Sequence, residues 1–213
     1  MTPLTDRYSR REEIANGTSH LIGAFLGVAG LSLLVVFSSI LGDPWKIVSF
    51  SIYGTTLTAL YSASAAYHFS NTEKWKRRFR VLDHCAIFWL IAGTYTPFAL
   101  VTLRGAWGWS IFGVTWGCAI LGTALTLFSL KAPRFLIASI YIAMGWMAMI
   151  AIKPLVASLS GDGMLWLVLG GLFYTFGTVF YIVQKIPYNH AIWHLFVLAG
   201  SVSHFFCLLF YVL

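Results

Sequence analysis

Residues 19–41 read SHLIGAFLGVAGLSLLVVFSSIL, from Ser19 to Leu41, with no Asp, Glu, Lys or Arg among them. A hydrocarbon core of about 30 Å takes about 20 residues of apolar helix, so this stretch predicts a membrane span. It is too long for the apolar part of a signal peptide. Six more runs of similar kind follow, at 45–69, 81–102, 107–130, 134–153, 163–184 and 190–213. The breaks between them carry turn chemistry: Gly42-Asp43-Pro44, the charged stretch Asn71 to Arg80, Gly105, Lys131-Ala132-Pro133-Arg134, Ser160-Gly161-Asp162-Gly163 and Ile186-Pro187. Outer-membrane strands would instead alternate polar and apolar residues in segments of about 10.

Composition agrees. Of 213 residues, 59% are hydrophobic and 10% charged, with a mean hydropathy of +0.79, against about 25% charged in a soluble domain. Disorder, collagen, coiled coil and a disulfide scaffold are excluded. Cys85, Cys118 and Cys207 lie singly inside apolar runs, so no disulfide framework or CxxC site is expected. The fold class expected is an all-α membrane protein, a bundle of seven transmembrane helices forming one domain over 1–213, with a short tail at 1–18. The net charge of +7 points to membrane lipids rather than nucleic acid, because the basic residues sit between apolar runs. Nothing in the pattern sets an oligomeric state.

The basic residues also orient the bundle. Arg7, Arg10 and Arg11 precede the first span. Lys74, Lys76, Arg77, Arg78 and Arg80 follow the second, Lys131 and Arg134 the fourth, and Lys185 the sixth. Only Lys46, Arg104 and Lys153 fall on the other side. The N-terminus is therefore expected in the cytoplasm and the C-terminus outside.

Ionisable residues in membrane spans are costly, and their default reading is functional. His190 and His194 open the seventh span one helical turn apart on one face, a geometry that lets two imidazoles share a metal. His68 ends the second span with Ser64 one turn behind it, and Asp83 begins the third. In the orientation above, all five fall at one depth near the cytoplasmic boundary. Three neutral imidazoles with one open position match catalytic zinc, which lowers the pKa of water to about 7. Asp83 would hold or deprotonate that water, and Ser64 would orient His68 or donate to an oxyanion. Each alone has a plainer use, as a headgroup contact for a histidine or a helix N-terminal anion for Asp83. Glu13, Asn16 and His20 share a narrow arc of the first helix if it already runs from about residue 12, and read as outer support for the ligands.

The remaining marks read as structural. His204 lies about 15 Å beyond His194 along the helix and is read as a hydrogen-bonded bundle residue. His84 is turned about 100° from Asp83. Pro97 predicts a kink. Trp45, Trp75, Trp107 and Trp109 read as interfacial anchors. Gly23, Gly27, Gly30, Gly170, Gly171 and Gly177 read as close helix contacts.

Glu13-x-x-Asn16-x-x-x-His20, Ser64-x-x-x-His68, Leu82-Asp83 and His190-x-x-x-His194, in that order, resemble the progestin and adipoQ receptor (PAQR) family. The short tails and Gly93-Thr94-Tyr95-Thr96-Pro97 resemble its bacterial hemolysin III branch, also described as membrane homeostasis proteins. The resemblance covers residue 12 to the end. It implies a seven-helix bundle with a cytoplasm-facing zinc site held by His68, His190 and His194, with Asp83 and Ser64 at the matching positions. The related alkaline ceramidases are similar in this constellation and hydrolyse a lipid amide.

The expected function is thus an intramembrane zinc hydrolase of a lipid amide or ester in the bacterial cytoplasmic (inner) membrane. Two alternatives stand beside it. One is a non-enzymatic membrane homeostasis or lipid-order sensor with structural zinc. The other is a hemolysin III-type pore former, although the outer halves of the spans carry few polar residues to line a pore.

Overall fold

The computed structural model describes residues 8–128 and 133–213; Arg7, Lys131 and Ala132 lie outside them. All regular structure among the described residues is helical. The chain runs as α1 (Arg10–Leu41), α2 (Pro44–Phe69), α3 (Glu73–Pro97), α4 (Gly105–Phe128), α5 (Arg134–Gly145), α6 (Ile152–Ser158), α7 (Gly161–Ile182) and α8 (Asn189–Tyr211). A π-helical turn, Phe98–Leu103, continues α3, and a 3-10 segment, Trp146–Ala151, joins α5 to α6.

The ends are capped by the residues that marked the breaks. Ser9 and Glu12 form a capping box at the start of α1. Gly42 closes that helix at φ +68, a left-handed conformation that suits glycine. Asp43 then accepts from the Trp45 and Lys46 amides with Pro44 in the first turn of α2, and Ser160 caps α7. Pro97 lacks the amide proton that an α-helix needs there, and the chain widens into the π turn just beyond it.

Among the described residues six helices are long and apolar enough to cross a membrane: Arg10–Leu41, Glu73–Leu103, Gly105–Phe128, Arg134–Ser158, Gly161–Ile182 and Asn189–Tyr211. Their outer faces carry large exposed apolar side chains, such as Phe25, Ile40, Ile120 and Phe128. A surface of that kind needs lipid around it, so the chain is an integral membrane protein. α2 has 26 residues, enough length for a span, but is more polar. Its polar residues Ser49, Thr56 and Ser64 are buried, as expected of a helix that faces protein on two sides.

The largest differences from the expected boundaries are at the starts of α1 and α3. α1 starts at Arg10, so its 32 residues extend about 48 Å, beyond the hydrocarbon thickness, and carry Glu13, Asn16 and His20 on ordered helix. α3 starts at Glu73 rather than near 81; the charged stretch is mostly helix, and the break is confined to Ser70, Asn71 and Thr72.

α1 packs on α2, α2 on α3, α3 on α5, α5 on α7 and α7 on α8, which returns to α1; α4 packs on α3. The helices thus close a ring. Glycines let its members approach: a Cβ at Gly23 would stand 2.6 Å from the Tyr61 ring. Buried Phe50, Tyr53, Leu57, Tyr61, Val197 and Leu208 fill much of the interior between α2 and α8.

Candidate metal centre

α2 ends and α8 begins at the same level of the ring, and this brings the three predicted histidines together. His68, His190 and His194 are all buried, each offering a ring nitrogen, and those atoms lie within 4.8 Å of one another. The His190 and His194 ring centroids are 4.5 Å apart, and His68 is 5.1 Å from each.

Local bonds decide which nitrogen two of these rings present. The Nδ1 of His68 lies 2.7 Å from Glu13 Oε2, so its N–H donates to the carboxylate and leaves Nε2 an acceptor. The Nδ1 of His194 lies 3.1 Å from the Asn16 carbonyl and 3.1 Å from Ser19 Oγ. Its Nε2 has no hydrogen-bond partner among the described residues. A carboxylate or carbonyl on one nitrogen with the other left as acceptor is the usual posture of a metal-binding imidazole. The donor set and its burial therefore fit a divalent transition metal. His190 packs against the Tyr8 ring, 5.1 Å away and nearly parallel.

The three supporting residues on α1 also gather here. Glu13 reaches His68, Asn16 offers its backbone carbonyl to His194, and His20 stacks on His194 with centroids 3.4 Å apart. Sequence reasoning missed Lys76. It was counted among the orienting cations, yet it is buried and donates to Glu13 Oε1 at 2.6 Å. A signal was there: Lys76 is two helical turns from Asp83, on the same face of α3.

Because this ion pair is shielded from water, removing one partner strands the other. Glu13→Ala should lower stability by about 3–5 kcal/mol, whereas Glu13→Ala/Lys76→Met should recover most of the loss. Thermal unfolding of both proteins in one detergent checks this; equal stability of the two variants would contradict it.

Asp83 is buried on α3, with the Ser64 hydroxyl beside its carboxyl group. It shares a cavity of about 500 Å³ with His190, Tyr8, Arg80 and Trp193. His84, set aside at the sequence level, lines the same cavity, while its Nδ1 lies 2.7 Å from the Arg80 carbonyl. A second cavity of about 120 Å³ shares Asp83, Ile87 and Trp193 with the first and extends along α3, α5, α7 and α8. A third, of about 90 Å³, shares Thr94, Tyr95, Trp146 and His204 with the second. Through these shared walls the three form a series from His190 to Leu155 and Met164.

A family model described as haemolysin-III related matches residues 8–205, which takes in every helix that supplies the histidines, Glu13 and Asp83. The chain belongs to the haemolysin-III family. It is 46% identical to the hemolysin-3 homolog of Bacillus subtilis (strain 168) over 204 residues, 96% of each chain. It is also 46% identical to hemolysin-3 of Bacillus cereus, covering 95% of this chain and 93% of that one. The human monocyte to macrophage differentiation factor is 28% identical, over 97% of this chain and 87% of its own. Haemolysin-III membership agrees with the PAQR resemblance carried by the histidine, aspartate and serine motifs.

Proposed function

We propose that this haemolysin-III protein is a zinc-dependent hydrolase of a lipid amide or ester. It would lie in the bacterial cytoplasmic membrane with seven spans, α2 among them, its N-terminus in the cytoplasm and its C-terminus outside. The observation that carries the reading is the buried histidine triad, whose member His190 lines one cavity with Asp83. The chain of mostly apolar cavities leading away from it suits the tail of a lipid substrate. Eleven of 14 basic residues on one side support the orientation.

His68, His190 and His194 would hold zinc, with Glu13 and the Asn16 carbonyl fixing two of the rings. When bound, zinc supplies Lewis acidity that brings the pKa of water to about 7. Asp83 accepts the proton of the attacking water and returns it to the leaving amine or alcohol. Ser64, beside Asp83, steadies that carboxyl group and is the nearby donor for negative charge developing on the carbonyl oxygen. The apolar walls keep bulk water from the tail and hold the carbonyl at the triad.

The second reading, a lipid-order sensor, is favoured by the same triad used as a staple, since it ties α2 to α8 and, through Glu13 and Asn16, to α1. Full-length protein in detergent, analysed for metal and incubated with matched long-chain ceramides and phospholipids, separates the two. Hydrolysis predicts about one zinc per chain and released fatty acid. Stoichiometric zinc with no release from either lipid class would refute hydrolysis and favour the staple.

A further inference from the structure

His204 sits on α8, ten residues beyond His194, buried where the second and third cavities meet. Its ring is pressed onto α7: a Cβ at Gly170 would stand 2.2 Å from the imidazole. Its Nε2 lies 3.2 Å from the Leu167 carbonyl. A carbonyl only accepts, so Nε2 carries the proton and Nδ1 is a bare acceptor. Among the described residues Nδ1 has no hydrogen-bond partner. The hydroxyls around it are committed differently. Thr94, Tyr95, Tyr141 and Thr178 donate to the carbonyls of Leu90, Gly145, His84 and Thr175. A buried acceptor without a donor is costly, and the cavity is where a donor can come from.

We propose that His204 Nδ1 is a specificity-determining acceptor that recognises a hydroxyl on the lipid chain. The inference rests on the reading of these cavities as the lipid-tail site. Ten residues of helix set His204 about 15 Å from His194. Carbon–carbon bonds of about 1.5 Å advance an extended chain by about 1.25 Å each, so the hydroxyl belongs about 12 carbons from the carbonyl. Thr94 and Thr178 have spent their protons on carbonyls within their own helices, so neither donates to Nδ1.

The test uses the purified full-length protein and three probes, stearate, 12-hydroxystearate and 2-hydroxystearate, with dissociation constants measured by calorimetry. One hydrogen bond of this kind should make 12-hydroxystearate bind about 5- to 10-fold more tightly than stearate, and 2-hydroxystearate no more tightly. His204→Phe and His204→Asn both lose the Leu167 bond, but the Asn carbonyl oxygen falls near the former Nδ1. The preference should shrink below about 2-fold in His204→Phe and survive in His204→Asn. His204→Leu replaces the Phe variant if that protein fails to bind stearate. Equal binding of the three acids by wild type, or equal behaviour of the two variants, overturns the role of His204 while leaving the lipid cavity intact. Failure of wild type to bind any of the acids overturns the cavity reading and this inference with it.

Discussion

His190→Ala/His194→Ala protein is expected to lose at least about 100-fold in zinc affinity, since loss of a supporting partner alone costs 10- to 100-fold. The reason is geometric. The triad's ligand atoms lie within 4.8 Å of one another, and the double variant leaves only His68 of the three. Among the described residues no other histidine belongs to that set. His204 is held on α7 at Leu167, and His20 lies in a stack against the ring that would be removed. Elemental analysis beside wild type, after equal washing with chelator, reads the effect. Circular dichroism must first establish that helix content is kept, and His190→Gln/His194→Gln serves if the alanine protein does not fold. Equal zinc in wild type and variant would mean that the ligands lie elsewhere.

The second large effect concerns Asp83→Asn. Asparagine keeps the size of the side chain and a carbonyl oxygen beside Ser64 but cannot accept the proton of an attacking water. Hydrolysis should fall by about 10²- to 10⁴-fold, the usual contribution of a general base. Zinc content should not change, because Asp83 stands outside the set of three imidazoles. The readout is fatty acid released per zinc-loaded chain. Undiminished release would remove Asp83 from the chemistry. Loss of zinc together with release would instead make Asp83 a contributor to metal binding.

Most of the spans were legible because the signal is additive: a window of apolar residues such as Ser19 to Leu41 needs no knowledge of its neighbours. α2 is richer in serine and threonine, and of these Ser49, Thr56 and Ser64 are buried. The His190–His194 pair was legible because it is local, one turn of one helix. Pairing it with His68 required depth, which the basic residues supplied. Lys76 was misread because a cation near a span end has a ready use in orientation, and only its ion pair with Glu13, 63 residues away, assigns it to the site. The Asn16 carbonyl and the cavities were out of reach altogether. A backbone acceptor has no residue signature, and a void belongs to several helices at once.

The closure of α8 onto α1 has a consequence for biogenesis. Glu13 and His68 are made early, but His190 and His194 belong to the last helix, which meets α1 both at their rings and where the Tyr188 amide reaches Glu12. A nascent chain that has inserted only the helices before α8 has one imidazole of the three. On the proposed zinc reading, metal capture is therefore a late event in the life of the polypeptide, coupled to insertion of α8. A chain stalled or cut before residue 190 keeps the Glu13 bonds to His68 and Lys76 but lacks the other two imidazoles of the cluster.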